Sequence, residues 1–175
     1  SYTTFEYSDF KVSYNAAKDE FEVRVTVTNT GKNPGKEVCQ IYLAKPYTQY
    51  DIENGIEKSA VELVGFAKTG VIAAGGHEDV KVTVDGKSLA SYDATSAKTY
   101  VTSTEEYYLT IGENAHSAVN NVISEKGYGV KDGMTKEGEK TLVKRVTAAK
   151  KKYDKAATGK EITNLFDSSD WNKYE

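Results

Sequence analysis

The chain has 175 residues, 28% of them charged, and a net charge of −3, the balance of an ordinary folded domain. That charge is too small to favour nucleic acid, and no apolar run approaches the ~20 residues that a membrane-crossing helix needs. One cysteine, Cys39, excludes an internal disulfide and leans toward a reducing, cytoplasmic setting without assigning the compartment.

The N-terminus, Ser1-Tyr2-Thr3-Thr4, has neither a basic nor an apolar leader and runs straight into a strand-like pattern, as at a boundary inside a longer protein. Residues 5–14 read as the first strand. Phe21, Val23, Val25 and Val27 then alternate with Glu22, Arg24, Thr26 and Thr28, a period of two that buries one face. The turn cluster Asn29-Thr30-Gly31-Lys32-Asn33-Pro34-Gly35 stops that strand. Residues 38–43 form the next, apolar on both faces near its centre. A connection over 45–60, longer than a hairpin needs, carries Pro46-Tyr47-Thr48-Gln49-Tyr50-Asp51. Residues 61–67 return as a strand, and Val80, Val82 and Val84 alternate again up to the Asp85-Gly86 turn signal. The connection 87–98 has room for a single helical turn. Residues 100–102 make a short strand, and Tyr107, Leu109 and Ile111 alternate up to Gly112. About seven strands separated by turns predict an all-β, immunoglobulin-like antiparallel sandwich over residues 1–115.

Charge and pattern then change. Residues 1–115 carry 11 Lys/Arg and 17 Asp/Glu, whereas residues 116–175 carry 12 and 9. Helical spacing of Ala118, Val119, Val122 and Ile123 predicts a short helix in a post-sandwich segment, 116–126. Glycines at 127, 129 and 133 then interrupt the chain. Leu142, Val143, Val146, Ala149 and Tyr153 again have helical spacing, and pattern alone predicts a thin amphipathic helix over 139–157. Residues 127–175 as a whole read as a linker or docking arm rather than a second domain.

Several segments carry a resemblance. Ser1 to Ser8, Val25-Thr26-Val27-Thr28-Asn29-Thr30-Gly31, and Gly35-Lys36-Glu37-Val38-Cys39-Gln40-Ile41-Tyr42 are similar to the fibronectin type III-like domain of family 3 glycoside hydrolases. Glu62-Leu63-Val64-Gly65-Phe66-Ala67-Lys68, Leu89-Ala90-Ser91-Tyr92-Asp93 and Tyr107 to Asn114 continue it in the family's order, the last as its final strand. His116 to Asn121 and Glu161-Ile162-Thr163-Asn164-Leu165-Phe166-Asp167 look like a subgroup in which a (β/α)8 barrel follows the sandwich. The resemblance implies a non-catalytic accessory domain whose parent is a retaining β-glucosidase. The barrel aspartate and acid/base glutamate of that parent lie outside this chain. Its partners would be the parent's catalytic domains, with a β-glucoside near the 46–60 loop. It also favours an extended path over a helix for residues 127–175.

Within the chain no residue reads as catalytic. Glu105-Glu106, Asp19-Glu20 and Glu78-Asp79 are adjacent carboxylates pointing to opposite faces, as solvated surface does. Ser169-Asp170-Trp171 resembles the family's nucleophile motif but lacks the buried strand before it, so Asp170 is not expected to act. His77 and His116 lack partners at metal-ligand spacing, and neither a metal nor a cofactor is expected. The candidate substrate-adjacent or interdomain residues are Pro46, Tyr47, Tyr50 and Asp51, where exposed rings can stack on a sugar or pack on a neighbouring domain. A stand-alone carbohydrate-binding or adhesion sandwich, or a purely structural spacer, are the alternatives.

Overall fold

A computed structural model describes residues 2–46, 53–54, 61–93, 99–101, 106–126, 138–147, 151–153 and 162–165. Strands β1 (Phe5–Asn15), β2 (Glu20–Asn29) and β5 (His77–Asp85) form one antiparallel sheet in the order β1-β2-β5. The second sheet holds β3 (Val38–Ala44), β4 (Glu62–Lys68), β8 (Glu106–Gly112) and β9 (Val143–Thr147), in the order β4-β3-β8-β9. The two sheets make a seven-stranded sandwich. The short strands β6 (Ser91–Asp93), β7 (Thr99–Val101), β10 (Lys151–Tyr153) and β11 (Ile162–Leu165) pair separately as β11-β10-β7-β6.

The core grows out of the alternation read in the sequence. Phe21, Val23, Val25 and Val27 on β2 meet Cys39, Ile41 and Leu43 on β3 and Tyr107, Leu109 and Ile111 on β8. All ten are essentially sealed from solvent. Each large aliphatic or aromatic side chain buried in this way stabilises the fold by roughly 1.5–3 kcal/mol before chain entropy is counted. At the edge where β4 approaches β5, Gly65 permits the contact, since a Cβ there would sit 2.9 Å from a Val82 methyl. The 87–98 connection does begin with one helical turn, a 3-10 turn at Gly86–Leu89 capped by Asp85.

Beyond residue 115 one expected helix forms and the other does not. The short one is present as α1 (Ala115–Glu125), its first turn closed by reciprocal bonds between Asn114 and Ser117. The helix expected over 139–157 is absent: a 3-10 turn at Lys140–Leu142 leads into β9, and β10 comes next at 151–153. The edge of β8 opposite β3 offers a row of unpaired backbone groups, and pairing with it from Glu106↔Thr147 to Thr110↔Val143 outweighs a thin helical stripe. β-branched Val143, Val146 and Thr147 suit that conformation. The strand at 106–112 is therefore not the last of the sandwich; β9 lies beyond it in the sheet and adds Val146 to the core.

α1 lies on the outer face of β8, and buried polar groups hold it there. The Asn121 amide nitrogen donates to the Ile111 carbonyl (3.0 Å) and to Thr110 Oγ1 (3.2 Å), and its oxygen accepts from Glu139 N (2.8 Å). Thr110 Oγ1 in turn donates to the Leu142 carbonyl at 2.6 Å. Gly138 N donates to Ser124 Oγ, and Gly138 lies so tightly on the α1 backbone at Asn120 and Asn121 that a Cβ would overlap it. One set of contacts thus ties the helix, β8 and the entry to β9 together.

Candidate functional site

The predicted loop begins where β3 ends. Pro46 is half-buried just past Ala44 and Lys45, while Tyr47, Tyr50 and Asp51 lie outside the described residues, as does Asp170. The base of the loop is held by Lys45, whose side chain is buried. Its ammonium bonds the Ala90 carbonyl (2.8 Å) and lies 3.3 Å from the Glu62 carboxylate. That contact spans the two ends of the connection, because Glu62 opens β4.

Beside this base, β4 and the start of β3 present apolar side chains to solvent. Phe66 is 62% exposed, Leu63 54% and Val38 39%. The register puts them on one face: Phe66 stands opposite Gln40, Leu63 opposite Tyr42, and Lys68 opposite Val38. α1 covers the β8 side of this outer face, where Thr110 and Gly112 are buried, and leaves the β4 side open. Residues 62–68 read in the sequence as an ordinary strand. Only the bulge between Ile41 and Tyr42, which resets the alternation of β4, shows that both Leu63 and Phe66 point outward.

A separate cleft of about 420 Å³ opens between the start of β1, the end of β8 and the first turns of α1. Phe5, Ile111 and Leu142 give it an apolar floor, and the exposed carboxylates of Glu6, Glu113 and Glu139 stand around it. Tyr7 also lines it and donates from its hydroxyl to Glu37 (2.9 Å). Burial, with the Glu37 carboxylate second, raises the Tyr7 phenol well above its usual range, and the same two causes push the Cys39 thiol up to about 12. Cys39 thus behaves as a small core residue rather than a nucleophile. Both groups favour the neutral form in the folded state. Their contribution to stability is full below the unfolded pKa, near 9 for the thiol, and is lost as pH rises toward 12. Urea midpoints should therefore fall between pH ~9 and ~11, and Cys39→Val should flatten that fall; an unchanged slope in the variant would remove Cys39 as its source.

The fold with its β4-β3-β8-β9 sheet defines a fibronectin type III-like β-sandwich, and the family model described as "Fibronectin type III-like domain" matches residues 37–115. The relatives that the chain matches over this domain are family 3 β-glucosidases. The chain is 32% identical over 121 residues to thermostable beta-glucosidase B of Acetivibrio thermocellus, a match covering 68% of this chain and 15% of that protein. Beta-glucosidase A of Butyrivibrio fibrisolvens is 36% identical over 106 residues, covering 53% of this chain and 12% of the relative. The solved structure of beta-glucosidase 3B from Thermotoga neapolitana in complex with glucose superposes with a TM-score of 0.55 at 33% identity, over 65% of this chain and 14% of that one. The chain therefore spans about one seventh of the proteins it resembles.

Proposed function

We propose that this chain is a non-catalytic accessory domain of a family 3 glycoside hydrolase with a β-glucosidase parent. The open outer face of β4, with Phe66 and Leu63 exposed along it and Val38 exposed on the neighbouring β3, is the observation that carries this reading. A row of exposed apolar side chains on an otherwise polar surface marks a place where another surface belongs. In this reading the face packs against a catalytic domain of the same polypeptide, and the arm after residue 126 leads on to one. The adjacent loop, with Pro46, Tyr47, Tyr50 and Asp51, then stands beside the substrate entrance and shapes access to it. The homology to β-glucosidases of which this chain matches only about one seventh supports the same reading.

The test is Leu63→Ser with Phe66→Ser. Each side chain is more than half exposed, so the 175-residue chain should keep its thermal midpoint to within about 0.5 kcal/mol of stability. In the longer polypeptide the same pair should uncouple the sandwich from the catalytic part, seen as a separate melting transition and faster proteolysis between them. A longer polypeptide that melts unchanged would show that this face is not the contact. Hydrolysis of an aryl β-glucoside by the pure 175-residue chain would overturn the non-catalytic reading itself.

A further inference from the structure

The cleft beside α1 has a chemistry that neither the accessory role nor the open sheet face uses. Glu6, Glu113 and Glu139 bring three carboxylates to it from three different segments. None of the three carboxylates has a hydrogen-bond or ion-pair partner among the described residues, and no described lysine or arginine lines the cleft. The second observation is independent of charge. Asn120, which also lines the cleft, is 94% buried by its 6% exposure, and its amide nitrogen has no acceptor. Side chains on a helix lean toward its N-terminus, which carries the Asn120 amide toward Ser117, the next cleft residue along α1. A buried amide donor left unmade costs roughly 1–3 kcal/mol, and an incoming carbonyl would recover it.

We infer that this cleft receives a lysine or arginine side chain presented by an extended segment of polypeptide. The aliphatic stem lies on Phe5 and the exposed edge of Leu142, the cationic head meets the carboxylates at the rim, and a backbone carbonyl of the segment accepts from Asn120. Charge complementarity and an unfilled donor together select this occupant. A small anion would meet three carboxylates, and a purely apolar group would leave both the carboxylates and the amide unused.

The probe is N-acetyl-arginine amide, which offers a guanidinium and peptide carbonyls, titrated into isotope-labelled 175-residue chain. Backbone amide signals of Glu113, Ser117, Asn120 and Asn121 should shift saturably and less so as salt is added, and the neutral isostere N-acetyl-citrulline amide should leave them in place. Glu113→Gln with Glu139→Gln should weaken binding by about tenfold or more. Asn120→Ala should weaken it by about threefold to tenfold without lowering the thermal midpoint, because it breaks no hydrogen bond and favours the helix. Equal binding of the citrulline probe, undiminished binding by either variant, or shifts produced by a neutral disaccharide and not by the arginine probe would each overturn the inference. The Leu63 and Phe66 test depends on none of these outcomes, since the two sites share no residue.

Discussion

Asn121→Ala is expected to lower the stability of the chain by about 3 kcal/mol, one of the two largest effects expected of a single substitution. The residue is 5% exposed and serves three hydrogen bonds, two as donor and one as acceptor. Truncation leaves Thr110 Oγ1 and the Ile111 carbonyl short of a partner in a buried setting, and takes from Glu139 N its part-buried acceptor. The loss should also have a place. Residue 138 lies against the α1 backbone and Leu142 is bonded through Thr110, so loosening Asn121 loosens the entry to β9. Hydrogen exchange should quicken at the β8–β9 ladder before it does at the β2–β5 ladder, which is built without any of these residues. A uniform drop in protection across both sheets would refute the coupling of helix and closing strand.

Asn29→Ala should cost a similar ~3 kcal/mol, at the other place where one amide serves several segments. Asn29 is fully buried at the end of β2. Its oxygen accepts from Thr3 Oγ1 (2.6 Å) and Gly31 N (3.0 Å), while its nitrogen donates to the carbonyls of Asn33 (2.8 Å) and Ile72 (2.9 Å). The side chain thereby joins the N-terminal segment, the turn after β2 and the segment that leads to β5. Asn29→Asp tests the donors: it keeps the two acceptor bonds but sets a buried carboxylate oxygen against the Asn33 and Ile72 carbonyls, so it should not rescue the loss. Chemical denaturation of the three proteins at one pH checks this, and an alanine variant within about 0.5 kcal/mol of the parent would contradict it.

Most of the sandwich is legible in the sequence because one physical rule governs it. A strand with one face in a core alternates, and β2, β5 and β8 do so without interruption. The turn cluster after Asn29 is legible as a stop, but the part Asn29 plays there is not, since its four partners come from three stretches of chain. At β9 the local pattern misleads for a related reason. Leu142, Val143 and Val146 fit a helical stripe as well as they fit an edge strand, and local pattern cannot tell which edge will be vacant. Of the candidate site, the loop stands out for its length and its tyrosines, signals that a sequence carries openly. The open face of β4 does not, because its outward residues depend on a register shift against β3.

The amino-acid sequence by itself determined that this is an all-β sandwich, where six of its seven strands lie, and that a short helix comes after them; the strand read over 100–102 belongs instead to the separate β11-β10-β7-β6 set. Alternation and turn chemistry act over a few residues, so they can be read in order along the chain. Only the tertiary structure decided that β9 pairs with β8, that α1 covers one half of the outer sheet face and leaves Leu63 and Phe66 on the other, and that Glu6, Glu113, Glu139 and Asn120 line one cleft. Each depends on groups distant in sequence coming within bonding range, where an unpaired strand edge or a buried amide takes the partner that the packed layers bring to it.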